Sequence, residues 1–318
     1  MTIETLLSSS DGSDRAVDLR DKLVDQIRDD ELLWVDITGD EEAEVRIVRD
    51  ALGLEDDVAE ALARELEPRP DAAVLTGAVE LTILWLDDDD EEATPVQVLA
   101  GDGWVITRHP RPMERLDEQR AKISDQREIG ALRPVEFVVA ILGWHLDGFV
   151  RVATHLEREV DRLDEEALRS DRDLLEGLVS MRRRIAHARR TAAAHDAVYA
   201  EIARPDFLPE LTDADNALLA GLSDRLQRAT AAIANVREML IGTFDVHMTR
   251  TAQRTNDIVR VLTWTSVILL PAVVVAGIMG MNFKVPIFDN PALFWVVIGF
   301  MIVTATITLV IARMRGWL

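Results

Sequence analysis

The chain has 318 residues, 57 acidic against 35 basic side chains, a formal charge of −22 and no cysteine. That balance excludes a body that grips nucleic acid, which needs a basic face, and it excludes disulfide frameworks, thiolate metal centres and cysteine nucleophiles. Hydrophobic residues make up 48%, enough to fold, but the spread is uneven: acids crowd the first 240 positions and the last 60 are almost uncharged.

Met1-Thr2-Ile3-Glu4 has no basic segment leading into an apolar core, so no signal peptide is expected. From residue 31 to about 108 the pattern mixes strands and helices. Leu32–Thr38 (LLWVDIT) reads as a strand, Glu41–Leu66 as helix interrupted near Gly53, and Gly77–Leu86, Pro95–Ala100 and Gly103–His109 as strands. The acid run Asp87–Glu92 reads as a solvated hairpin loop rather than a metal site. From Pro134 onward no strand is expected. Val135–Ser170 and Asp171–Ala203 read as two long helices, and Ala203–Asp215, with two prolines, breaks the pattern before a helix that Thr212 or Asp213 would cap.

In that next helix Leu219, Leu222, Leu226, Ala229, Ile233, Val236 and Leu240 recur at alternating intervals of three and four, the heptad seam of helices packed side by side. Nothing breaks the pattern before Pro271. One helix from about Asp213 to Gly280 is predicted, roughly 100 Å long, with any kink at Pro271 tolerated inside a membrane.

Val261–Met281 and Ala292–Ala312 are each 21 residues without a charge. At about 1.5 Å per residue each spans roughly 31 Å, the thickness of a bilayer core. The short link Asn282–Pro291 makes them an antiparallel hairpin. Arg250, Arg254 and Arg260 precede the first span and Arg313 and Arg315 follow the second, while the link holds only Lys284, so both termini are expected in the cytoplasm. Trp264, Trp295 and Trp317 lie near span ends, where interfacial aromatics belong.

Two helices enclose no aqueous path, so conduction requires several copies around an axis, and the heptad seam suits identical neighbours. In the first span Asn256, Val259, Leu262, Ser266, Leu270, Val273, Gly277 and Gly280 form a stripe at helical spacing. So uncharged a surface replaces no hydration shell. It passes an ion that keeps its water and closes by dewetting, or else it is a packing face whose glycines let helices approach. Gly280-Met281-Asn282 ends the span. A ring of Asn carbonyls would accept hydrogen bonds from the water of an ion such as Mg²⁺, which dehydrates reluctantly; equally, Asn282 would cap the helix.

Leu262–Phe283 (LTWTSVILLPAVVVAGIMGMNF) closely resembles the first transmembrane helix and GMN signature of the CorA family of divalent-cation transporters, and Ala312–Leu318 (ARMRGWL) is similar to its basic tail. Trp34–Ile37, Gly53–Leu62 with Pro68–Pro70, and Gly101–His109 resemble its cytosolic domain more weakly. The resemblance implies a homopentameric channel for Mg²⁺, also passing Co²⁺ or Ni²⁺, in a cell (inner or plasma) membrane. It implies an α+β cytosolic domain layered αβα, a long stalk helix and an all-α transmembrane hairpin. Residues 1–130 would form the layered domain, 131–210 the paired helices, 211–283 the stalk with the first span, 284–291 the outer loop, 292–312 the second span and 313–318 the tail. Gly280, Met281 and Asn282 match the selectivity motif, Asn256 a polar pore position, Asp245 an acidic ring at the inner mouth, and Leu262 and Leu270 the hydrophobic constriction. Mg²⁺ would be both transported and regulatory, with Asp56 or Asp57 against Asp224 as the nearest match for acids bridged by cation between subunits. Gly221 stands where one of those acids is expected. No organic cofactor is implied; the partners are further copies of the chain, the bilayer and divalent cations.

Three departures stand out. Met279 replaces a common Tyr, Val273 replaces a common pore Thr, and the outer loop FKVPIFDNP (Phe283–Pro291) sets Lys284 against Asp289 where acids are usual. The zinc-transporting ZntB branch also lacks an acidic loop, so Zn²⁺ is the alternative cargo; a membrane-anchored structural or signalling protein with a coiled-coil stalk is the other alternative. An enzyme is not expected. His109, His145, His155, His187, His195 and His247 form no HExxH, no nucleophile elbow or P-loop occurs, and His187 and His195 read as surface or core residues.

Overall fold

The computed structural model describes residues 2–9, 14–15, 17, 19, 27–28, 30–39, 42–87, 92–126, 133–169, 174–208, 211–281 and 291–314. Two compact units emerge, Met1–Thr243 and Phe244–Leu318.

The first unit is built on a seven-stranded sheet. Its strands are β1 (Thr2–Ser9), β2 (Asp14–Arg15), β3 (Glu31–Thr38), β4 (Asp71–Leu75), β5 (Ala78–Trp85), β6 (Thr94–Gly101) and β7 (Trp104–His109), in the order β2-β1-β3-β7-β6-β5-β4. β3 and β7 pair in parallel at the centre, Leu33 opposite Trp104 and Thr38 opposite His109; the other pairs are antiparallel. A parallel central strand is covered on both faces, which explains why β3 is apolar without strict alternation. Leu33, Val35 and Ile37 enter one core with α1 (Glu42–Leu52) and α2 (Asp56–Ala63). Leu32 and Trp34 enter the other, with α3 (Glu114–Gln126), α4 (Pro134–Arg169), α5 (Leu174–Ala194), α6 (Asp196–Ile202) and the first part of α7 (Asp213–Met279). The sheet is therefore the middle of three layers.

Local chemistry fixes the elements as expected in most places. Gly53 takes φ +57°, a conformation that suits glycine, and so parts α1 from α2. The β4–β5 turn likewise needs Gly77 at φ +66°. Thr212 caps α7 reciprocally: the Asp215 N–H donates to the Thr212 hydroxyl at 3.3 Å, and the Thr212 N–H donates to the Asp215 carboxylate at 3.0 Å. Arg133, just before α4, donates to the same carboxylate at 3.1 Å, and the guanidinium pulls its pKa down to about 2.

Several features differ from expectation. β1, β2, β4 and α3 lie where no element was anticipated, and the segment expected as one helix through Ala203 breaks at His195 into α5 and α6. The heptad seam also has another partner than identical neighbours. Leu219, Leu222, Leu226, Ala229, Ile233, Val236 and Leu240 are all buried inside their own chain, in one core with α4 and α5. That same burial separates α4 from a membrane span: its apolar window is long enough to cross a bilayer, yet 61% of it is buried in the domain.

The second unit holds the rest of α7 and α8 (Pro291–Met314). α7 runs unbroken through Pro271, which lacks an N–H to donate to the preceding turn.

Candidate functional site

Within the second unit the two helices meet along one face of α7. Ile268, Pro271, Ala272 and Val275 line a small cavity with Phe300, Met301, Thr304 and Ala305 of α8. At about 100° of turn per residue, the stripe from Asn256 to Gly277 falls on the opposite side of the helix. It is accordingly bare in the single chain: Val259 is 54% exposed, Leu262 65%, Leu270 64% and Val273 63%. Asp245, Asn256, Ser266 and Gly277 are exposed too. A Cβ added at Gly277 would meet nothing within 4 Å.

The stripe is drier than its composition suggests. The Ser266 hydroxyl donates to the Leu262 carbonyl at 2.9 Å, and Thr263 and Thr265 likewise donate one turn back, at 2.7 and 2.9 Å. With its proton held by the helix, Ser266 offers the stripe only acceptor lone pairs. The helix closes at Gly280, whose N–H donates to the Ala276 carbonyl at 2.9 Å, and the Met281 N–H reaches the Ile278 carbonyl at 3.3 Å. Asn282, Lys284, Asp289, Arg315 and Trp317 lie outside the described residues, as do residues 88–91 of the acid run.

The expected regulatory acids all lie in the first unit. Asp56 opens α2, almost wholly exposed, and forms an ion pair with Arg49 at 3.0 Å. Asp57 accepts from the Val58 N–H at 2.9 Å and from the Thr76 N–H of the β4–β5 turn at 2.8 Å; the Thr76 bond above all holds its pKa below the ordinary carboxylate value. Asp57 thus ties the helix start to the hairpin. Arg108 secures the other end of α2, donating to the carbonyls of Leu62 and Arg64 at 2.7 and 2.8 Å. Asp224 is exposed on α7, and Gly221 faces open space. Among the described residues no three His, Asp or Glu side chains gather into a metal site within the chain.

One buried polar cluster has no counterpart in the motif reading. Asp36 on β3 accepts from the hydroxyl of its cross-strand partner Thr107, from His109 at 3.2 Å and from Arg120 at 2.7 Å. The indole N–H of Trp34 donates to Thr107 at 2.9 Å, and the Arg120 guanidinium sits 5.4 Å from the Trp34 ring. The signal in the sequence was a lone Asp inside an apolar strand, which only a buried cationic partner tolerates.

A layered domain whose last helix continues into an apolar helical pair has the build of a membrane transporter. Comparison with known proteins agrees. The family model described as CorA-like Mg²⁺ transporter protein matches residues 29–313, and the chain belongs to that family. It is a family of transporters, not of enzymes. The cobalt/magnesium transport protein CorA of Methanocaldococcus jannaschii is 26% identical over 238 residues, 73% of this chain and 74% of that one. The protein of the same name from Thermotoga maritima is 23% identical over 297 residues, 90% of this chain and 83% of that one. The complete structure of the Methanocaldococcus jannaschii CorA magnesium transporter superposes with a TM-score of 0.82 at 19% identity, over 100% of this chain and 99% of that one, which establishes the fold.

Proposed function

We propose that copies of this chain assemble as a ring, a homopentamer, around an axis lined by α7, and that the ring conducts hydrated Mg²⁺, with Co²⁺ and Ni²⁺ as further cargo. The observation that carries this reading is the two-sidedness of α7: α8 occupies one side, and the stripe lies bare on the other. Residues from Asp245 through Asn256 to Gly277 line the axis in this reading. Leu262, Leu270 and Val273 form a dry constriction that opens by wetting. Gly280, Met281 and Asn282 form the outer mouth, where amide oxygens accept hydrogen bonds from water that the ion retains. Both termini lie in the cytoplasm, on the side of the flanking arginines.

In the same reading internal divalent cation closes the channel by bridging Asp56 or Asp57 to Asp224 of a neighbouring copy, and loss of the cation releases the domains. Asp56 is the more available of the first two, because Asp57 already holds the Thr76 N–H.

The test is Mg²⁺ uptake into liposomes by the wild type and by Asn282→Ala, with Zn²⁺ as competitor and cobalt hexammine as a mimic of the hydrated ion. Uptake blocked by the mimic, with selectivity lost in an Asn282→Ala ring that still assembles, is expected. Uptake of Zn²⁺ in preference, without block, would assign zinc as the cargo. An assembled ring with no divalent flux would overturn the reading.

A further inference from the structure

We infer that the α4–α5 hairpin is the coupler between neighbouring copies: the acidic outer edge of α4 in one chain docks on the arginine outer edge of α5 in the next. This rests on the ring proposed above and names the surface that closes it.

The two helices face each other through Glu159 and Arg184, 3.9 Å apart, and a Cβ at Gly177 would lie 2.7 Å from Leu163. Leu178, Met181, Ile185, Ala188 and Ala192 turn α5 into the core. Counting about 100° per residue from those two anchors, Arg182, Arg183, Arg189 and Arg190 fall on the side of α5 away from α4. All four are exposed. The same count on α4 puts Glu157, Asp161, Asp164 and Glu165 on the side away from α5, together with one cation, Arg158, and puts Glu176 at the border of the arginine edge. Glu157 and Asp161 are exposed and Asp164 half-buried. Arg162 pairs with Glu159 and Glu166 instead. Among the described residues, the four arginines and Glu157, Asp161 and Asp164 make no ion pair within the chain.

The hairpin is thus bipolar, with opposite charges on opposite edges of one body. Such edges are head-to-tail complements, and a head-to-tail contact repeated around an axis closes a ring. The chemistry asks for this device. At −22 per chain, copies repel one another, yet five of the 35 basic residues sit within positions 182–190. Exposed pairs are individually weak, so the edges set partner choice and register more than strength. The Glu159–Arg184 contact fixes that register. In an antiparallel hairpin it sets Asp161 level with Arg182, and rotation about an axis along the hairpin brings Asp161 of one copy beside Arg182 of the next.

The chain's lack of cysteine makes the test clean. The full-length double variant Arg182→Cys, Asp161→Cys, oxidised in detergent, should yield a covalent ladder from dimer to complete ring; either single variant, with no cysteine opposite it, should stay monomeric on a denaturing gel. Reversing the three remaining arginines, Arg183, Arg189 and Arg190, to Glu in that background should abolish the ladder, whereas Lys at the same three positions should retain it. Reversing Glu157 and Asp164 to Lys in the arginine-reversed chain should restore it. Native mass spectrometry of the wild type reads the ring separately. A ring without the ladder overturns this inference and leaves the proposed channel standing; no ring overturns the channel reading itself. A ring without the ladder that is stabilised by anionic over zwitterionic nanodiscs only while the four arginines are intact would assign the edge to lipid headgroups, again against the inference.

Discussion

Leu84 and His195 are joined by a hydrogen bond from the strand N–H to the imidazole Nε2 at 2.9 Å, and this bond fixes the imidazole as a neutral acceptor. β4 begins only at Asp71, opposite Thr82, so the antiparallel β5 outruns it and Leu84 is left without a strand partner on that side. Two buried histidines take the place of the missing residue. His195 receives the N–H, and its own Nδ1–H donates to the Thr191 carbonyl at 2.7 Å; His145 Nε2–H donates to the Leu84 carbonyl at 3.1 Å, and its Nδ1 accepts from the Tyr199 hydroxyl at 2.9 Å. The rings lie 4.6 Å apart and bind α4, α5 and α6 to the sheet.

The first prediction concerns acid. Burial pushes His195 down to about 4 from an ordinary 6.5 and His145 well below the ordinary value. Above 6.5 both are neutral whether the chain is folded or not. As pH falls below 6.5 the unfolded chain takes up protons that the folded chain refuses, so stability declines from there to about 4, by about 3 kcal/mol for His195 alone. Thermal unfolding at pH 7.5 and 5.0 checks this: the midpoint should fall, and His195→Gln, which keeps an acceptor for Leu84, should flatten the dependence. Equal midpoints in the wild type would contradict it.

His109 is expected to behave oppositely. Both its nitrogens face acceptors, the Asp36 carboxylate at 3.2 Å and the Arg111 carbonyl at 2.6 Å, which favours the imidazolium. Burial opposes the charge, but Asp36 and the Arg111 carbonyl outweigh it and raise the pKa. Its contribution is whole below the unfolded value and is lost as pH rises through the raised one. Asp36→Asn strips the buried cations of their shared partner and should cost about 3–5 kcal/mol in denaturant unfolding. Arg120 also pairs with Glu4 and, at 2.9 Å, with Asp117; a loss below about 1 kcal/mol would show that these two carboxylates suffice for it.

The buried seam predicts a third outcome. Leu226→Ala removes packing inside one chain and should destabilise it by about 2–5 kcal/mol while the native mass of the assembly is unchanged. Dissociation without loss of chain stability would mean that the seam joins copies.

Thr212→Ala removes the hydroxyl that receives the Asp215 N–H and should cost about 1 kcal/mol. Thr255→Ala, on an exposed turn of the same helix, is the control and should shift the unfolding midpoint by about half of that or less.

The central strands, both long helices and the apolar pair were legible because their residues obey one period over many positions. β1, with Ile3, Thr5 and Leu7 alternating, and β4, only five residues long, were too weakly patterned to stand out. α3 carries charge on most faces, and nothing local announces the break at His195, which follows from that residue's bond to Leu84 rather than from any breaker. The heptad spacing was read correctly as a packing seam, but spacing cannot say whether the partner lies in the same chain. The stripe of the first span was legible as a period; its exposure needed α8 on the other side of the helix.

That exposure gives the most direct test. In this cysteine-free chain, Leu270→Cys and Val273→Cys should react with a membrane-impermeant thiol reagent when the channel is open and lose Mg²⁺ flux, whereas Ile268→Cys and Val275→Cys, facing α8, should keep flux and react slowly. If reagent stopped flux through Ile268→Cys or Val275→Cys and left Leu270→Cys and Val273→Cys conducting, the bare stripe would not line the path.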